Sequence, residues 1–188
     1  MDDSRIMMSI EEYLAFDRST LDGRYEYIDG IVAMRQGGTA NSSRICVNIT
    51  SELITALRGK SCQVFGSDLR VCISPTRYVY PDVFVACEQS DLEGNNDIVY
   101  SPRLIIEVLS PNAPTITSNR REKFIYYRAC PSVQEYIFVN RDEVSVDVYR
   151  RVNEKLWVVH LSGPSDDVEL KSIGVTVQIA AIYENVRF

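Results

Sequence analysis

The stretch Leu104-Ile105-Ile106-Glu107-Val108-Leu109 decides how this 188-residue chain is read. A run of aliphatic residues of that length predicts a strand buried on both faces, and Glu107 is the residue such a strand does not ordinarily carry. A carboxylate in a low-dielectric interior neutralises, pairs with a cation or binds a metal ion. Upstream, Tyr78-Val79-Tyr80-Pro81-Asp82-Val83-Phe84-Val85-Ala86 sets Asp82 in a second apolar segment, and Lys123 follows downstream, just inside a predicted helix. Two acids on apolar strands and one lysine point to a divalent-metal site. Each acid also has a plain structural reading, with Asp82 capping a strand end and Glu107 ion-paired to Arg24 or Arg70.

Elements on either side fill in an α/β pattern. Ser9-Ile10-Glu11-Glu12 has capping-box spacing and predicts a helix to about Asp17. Arg24 to Met34 reads as a hairpin around Asp29-Gly30, a dipeptide suited to a tight turn. Ile45, Ile49, Leu53, Ala56 and Leu57 recur at helical spacing and predict a long helix from about Ser42, stopped at Gly59. Strands are predicted at Cys62 to Phe65, Leu69 to Ile73, Val79 to Ala86 and Arg103 to Leu109, with a surface loop from Glu88 to Asn96. Asn119 can cap a helix reaching about Ala129. Further strands follow at Tyr136 to Asn140, Val144 to Arg150 and Leu156 to Leu161, and a last helical turn at Ala180 to Glu184. No composition shift marks a linker, so residues 1–188 are expected to form one domain that buries roughly 70% of the unfolded chain's surface.

Hydrophobic residues make up 45% and charged residues 24%, which excludes a disordered chain. The net charge of −6 argues against a general polyanion-binding surface, although Arg103, Arg120, Arg121, Lys123 and Arg128 can form a local basic rim or, equally, a solvated helix face. Apolar runs are strand-sized and the N-terminus is acidic, so a cytoplasmic protein with no membrane partner is expected. Cys46, Cys62, Cys72, Cys87 and Cys130 are odd in number, form no Cys-x-x-Cys pair and are expected to be reduced core thiols. His160, the single histidine, is expected to be an exposed strand residue, and the tyrosines at 25, 27, 78, 80, 126 and 127 to serve packing.

Magnesium takes hard oxygen ligands, commonly one or two carboxylates with waters completing an octahedron. Asp82 and Glu107 can supply them, and Lys123 can orient a water or stabilise developing phosphoryl charge. On a strand, Glu107 shares a face with Ile105 and Leu109. The lysine must therefore come from another element, because Leu109 holds the position two residues on.

Pro81-Asp82, Glu107 and a lysine displaced onto the following helix resemble the PD-(D/E)XK nuclease superfamily. Five segments in order, Arg24-Tyr25-Glu26-Tyr27-Ile28-Asp29-Gly30, Tyr80-Pro81-Asp82-Val83, Glu107-Val108-Leu109-Ser110-Pro111, Glu122-Lys123-Phe124 and Gln134-Glu135-Tyr136, resemble the Uma-type putative restriction endonuclease family over nearly the whole chain. The resemblance implies a restriction-endonuclease-like mixed β-sheet core flanked by helices and a magnesium-dependent cut of DNA, with manganese able to substitute. It assigns Asp82 and Glu107 as metal ligands, the Val108 carbonyl as a third, Lys123 as the catalytic lysine and Glu26 as an additional acid. A homodimer would address two strands. The chain departs from the family pattern at Ser42, where members often carry histidine, and at Asn119, where they carry aspartate; Pro111 to Ser118 is two residues longer. A noncatalytic nucleic-acid-binding or regulatory protein that keeps the fold is the alternative function.

Overall fold

A computed structural model describes residues 6–21, 23–35, 37–109 and 120–188, and the side chain of 120 is outside the description. The chain runs Ile6–Met7 (β1), Ile10–Ser19 (α1), Tyr25–Ile28 (β2), Ile31–Met34 (β3), Ala40–Leu57 (α2), Gln63–Gly66 (β4), Arg70–Ser74 (β5), Arg77–Val79 (β6), Val83–Ala86 (β7) and Gln89–Leu92 (α3). It continues through Ile98–Val99 (β8), Pro102–Leu109 (β9), Arg120–Ala129 (α4), Glu135–Asn140 (β10), Val146–Arg151 (β11), Trp157–Ser162 (β12), Asp167–Leu170 (β13), Val175–Gln178 (β14) and Ile179–Ile182 (α5).

The strands form two six-stranded sheets, β1-β3-β2-β6-β5-β8 and β12-β11-β10-β9-β7-β4, beside a β13-β14 ribbon. Both large sheets are mixed, because β5 pairs with β8 and β9 with β10 in parallel and the other pairs are antiparallel. The predicted α/β class with a mixed sheet and flanking helices is the observed one, and the sheet is double.

Strand β9 lies inside the second sheet and is buried on both faces, as its composition requires. Leu104, Ile106 and Val108 meet Ile45, Ile49, Leu53 and Leu57, the four-residue repeat along α2. Ile105, on the opposite face, joins Phe84, Phe138, Tyr136 and Tyr127. Helix α2 begins two residues earlier than Ser42, because Thr39 is its N-cap and its hydroxyl accepts from the Ser42 N–H at 3.2 Å. The hairpin turn is where the sequence puts it, with Asp29 and Gly30 at φ +50° and +96°.

Three expectations are corrected. The segment Val79 to Ala86 is two strands, not one: β6 ends in the first sheet, the chain crosses at Tyr80-Pro81-Asp82, and β7 begins in the second. Proline has no N–H with which to continue a ladder, so the break falls on Pro81. Within the surface loop Glu88 to Asn96 lies the single helical turn α3. Cys62 and Cys87 form a disulfide, while Cys46, Cys72 and Cys130 are free. The β4–β7 register pairs Gln63 with Ala86, which makes Cys62 and Cys87 the next cross-strand neighbours.

The tyrosines pack as expected, with Tyr13, Tyr27 and Tyr78 forming one aromatic cluster between α1 and the first sheet. His160 is exposed on β12. Among the described residues no helix is long and apolar enough to cross a membrane.

Candidate active site

Where the chain changes sheets, β7 and β9 part, and their last paired residues are Val83 and Ile106. Beyond that pair, the Val108 N–H donates to Asp82 Oδ2 at 2.7 Å. A side-chain carboxylate thus takes the place of the backbone acceptor that Pro81 and its neighbours no longer offer. A strand residue directs its N–H and C=O to the same neighbour, so the Val108 carbonyl also faces this fork.

Glu107 is only 1% exposed and faces α4. Its Oε1 accepts from Lys123 Nζ at 2.8 Å and from the Tyr127 hydroxyl at 2.5 Å. Lys123 and Tyr127 are four residues apart on one helix and share a face. Glu26, on β2 of the other sheet, is buried too. It accepts from the Tyr80 N–H at 3.3 Å and lies 3.9 Å from Lys123 Nζ. The sequence reading of Glu107 as half of an ion pair is therefore right in kind, with Lys123 as partner in place of Arg24 or Arg70; Arg70 binds Asp17.

The four predicted side chains, Glu26, Asp82, Glu107 and Lys123, line one cleft of about 440 Å³ together with Val108. Ser42 lines it as well. Asn119 and the segment Pro111 to Ser118 lie outside the described residues. Of the basic rim, Arg121 and Arg128 are exposed, Lys123 is buried, and Arg103 pairs with Glu88 at 3.2 Å.

Two participants are additions to the expected set. Tyr127 was legible through its spacing from Lys123. Arg35, which ion-pairs with Asp82 and lines the cleft, follows a hairpin strand in a stretch without periodicity, and no pattern marks it.

Burial, followed by the charge of Glu107, pushes the Asp82 carboxyl up from 3.8 to about 6, although Arg35, Lys123 and the Val108 N–H all favour its ionised form. Burial also raises Glu26. For Lys123, burial disfavours the ammonium, but Glu107 and Glu26 outweigh it and hold the group charged well above neutrality. Tyr127 is raised by burial and by Glu107, and so stays a donor. A carboxyl that is more basic in the folded than in the unfolded state contributes stability below its unfolded pKa, which is lost as pH rises through the folded value. Metal-free protein should therefore lose on the order of 3 kcal/mol at this group between pH 4 and pH 7. Urea unfolding across that range, compared with Asp82→Asn, checks it; equal slopes in the two proteins would exclude Asp82 as the source.

Among the described residues no three His, Cys, Asp or Glu side chains gather as a ready-made metal cage. The donor set is nevertheless the right chemistry for a hard divalent ion. It offers two carboxylates that repel each other and a backbone carbonyl facing the same fork, with room left for water or phosphate oxygens. Asp82, Glu107 and Val108 are the residues that would hold such an ion.

The chain belongs to the Uma2 family, described as putative restriction endonuclease, which matches residues 10–180. Two uncharacterized proteins of Synechocystis sp. are similar to it. One, slr1290, is 35% identical over 182 residues, covering 96% of this chain and 94% of its own length. The other, sll1609, is 30% identical over 166 residues, covering 87% and 92%. The fold is shared with the crystal structure of a putative nuclease belonging to DUF820 from Anabaena variabilis. That match has a TM-score of 0.77 at 18% identity and covers 94% of this chain and 97% of the other.

Proposed function

We propose that this chain is a magnesium-dependent endonuclease that hydrolyses DNA phosphodiester bonds in the cleft between its two sheets. The observation that carries the reading is the meeting of Asp82, Glu107 and Lys123 at the fork between β7 and β9. When bound, the divalent ion would neutralise phosphoryl oxygen charge and make a water molecule more acidic.

The protein's own groups divide the remaining work. Glu107 aims the Lys123 ammonium, and Tyr127 fixes Glu107 in turn. The ammonium stabilises negative charge as it develops on the phosphoryl group and orients the attacking water. Glu26 supplies a second carboxylate beside the lysine and is itself held by the Tyr80 N–H. Water adds to phosphorus and gives up a proton to solvent, the P–O bond to one sugar breaks, and the departing oxygen takes a proton from solvent. One cleft addresses one strand, so a double-strand cut calls for two copies of the chain.

Calorimetric titration of manganese at neutral pH tests the metal site, using wild type, Asp82→Asn and Glu107→Gln proteins that unfold cooperatively. Saturable binding by the wild type, lost in both variants, is expected. At metal concentrations of about 100 times the dissociation constant the wild type should also gain roughly 2.7 kcal/mol against unfolding. No binding at millimolar manganese, even with a short DNA duplex added, would overturn the reading in favour of a noncatalytic role.

A further inference from the structure

Arg35 occupies the place in the cleft where a metal-bound Asp82 would need room. Its guanidinium pairs with Asp82 Oδ1, while Oδ2 accepts from Val108, so both oxygens of the carboxylate are engaged. The Arg35 backbone is fixed, its N–H donating to the Arg24 carbonyl at 2.8 Å. Its side chain is 27% exposed and borders the cleft, so its head can leave Asp82 by side-chain rotation alone.

The charge of the site gives that movement a direction. Arg141, which also lines the cleft, pairs with Asp142 at 3.6 Å. With all three acids ionised, Glu26, Asp82 and Glu107 then face Arg35 and Lys123, leaving one negative charge uncompensated. A divalent ion converts this into one surplus positive charge, which a single phosphodiester cancels. A guanidinium is also a fork of donors suited to two phosphate oxygens at once, a geometry that a lysine cannot reproduce.

We propose that Arg35 is an exchangeable counter-cation, which holds the metal position of Asp82 in the free protein and passes to a nucleic-acid phosphate when a divalent ion displaces it. This inference rests on the metal-dependent reading above. Its consequence is reciprocal coupling: metal ion and phosphodiester each tighten the binding of the other by the same factor. In the free protein Arg35 competes with the metal ion, and in the complex it becomes a phosphate ligand.

The test is manganese calorimetry on wild type, Arg35→Gln and Arg35→Lys, each alone and with a cleavage-resistant phosphorothioate DNA duplex. Arg35→Gln alone should bind manganese roughly tenfold more tightly than wild type. Arg35→Lys, which keeps the charge, should stay near the wild-type value. The duplex should tighten manganese binding to wild type by about the same tenfold and to Arg35→Gln by much less. If wild type binds manganese and Arg35→Gln binds it no more tightly, the exchange is overturned while the metal site stands. A duplex that leaves wild-type manganese affinity unchanged overturns it as well, whatever the variants do. No manganese binding in any protein, with or without duplex, overturns the exchange and the nuclease reading together.

Discussion

Replacing Lys123 with methionine is expected to slow metal-dependent cleavage of supercoiled plasmid by roughly 10²–10³-fold, the usual cost of losing one preorganised group that stabilises transition-state charge. Manganese binding should survive or strengthen in the same protein. The ammonium lies against Glu107 and near Glu26, so its removal takes a positive charge away from the carboxylates that attract the metal ion. Glu107 keeps one donor, the Tyr127 hydroxyl. A lysine that only balanced buried charge would behave differently, since its loss would leave the cleavage rate near wild type once the protein is folded and metal-saturated. Wild-type turnover by Lys123→Met, or a loss of manganese binding in step with activity, would remove Lys123 from the catalytic role.

Arg70→Met should destabilise the protein by about 3–5 kcal/mol, because it strands a buried carboxylate. Arg70 on β5 and Asp17 on α1 are each about 5% exposed or less. Arg70 Nε donates to Asp17 Oδ2 at 3.0 Å and to the Tyr80 oxygen at 3.2 Å, and the Tyr80 hydroxyl donates to the same Asp17 oxygen. The triad sits immediately before Pro81-Asp82, so it anchors the near end of the crossing between sheets. Replacing both partners, as Asp17→Asn with Arg70→Met, removes the bare charge and should recover part of the loss. Urea midpoints of the single and double variants decide this. A single-variant cost under about 1 kcal/mol would mean that water reaches Asp17 and compensates it.

What the sequence made legible follows from how local each signal is. Glu107 stands out because its neighbours form an unbroken apolar strand, and the helix bearing Lys123 is marked by its polar first turn. The face shared by Lys123 and Tyr127 was open to the same helical spacing argument. The two strands on either side of Pro81 were harder, because apolar residues continue through the break and only the ladder partners differ. The Cys62–Cys87 bond joins residues 25 apart and depends on the β4–β7 register, which composition does not encode. Val168, Leu170, Val175 and Val177 alternate with polar residues and were a readable ribbon that the sequence reading omitted. Glu135 matches a family segment, yet its carboxylate is spent on Arg150 and on the Lys171 and Ser172 backbone, a structural post away from the cleft.

The crossing at Tyr80-Pro81-Asp82 has a consequence for the making of the protein. Glu26 comes from one sheet, Glu107 from the other, Asp82 from the strand of chain between them, and Lys123 from a helix added after both acids on β9 and the crossing are in place. A nascent chain emerging from the ribosome holds Glu26, Arg35 and Asp82 before it holds Glu107 and Lys123, so the cleft is complete only when the later segments arrive. A copy that ends before α4 carries the acids of the cleft without the lysine.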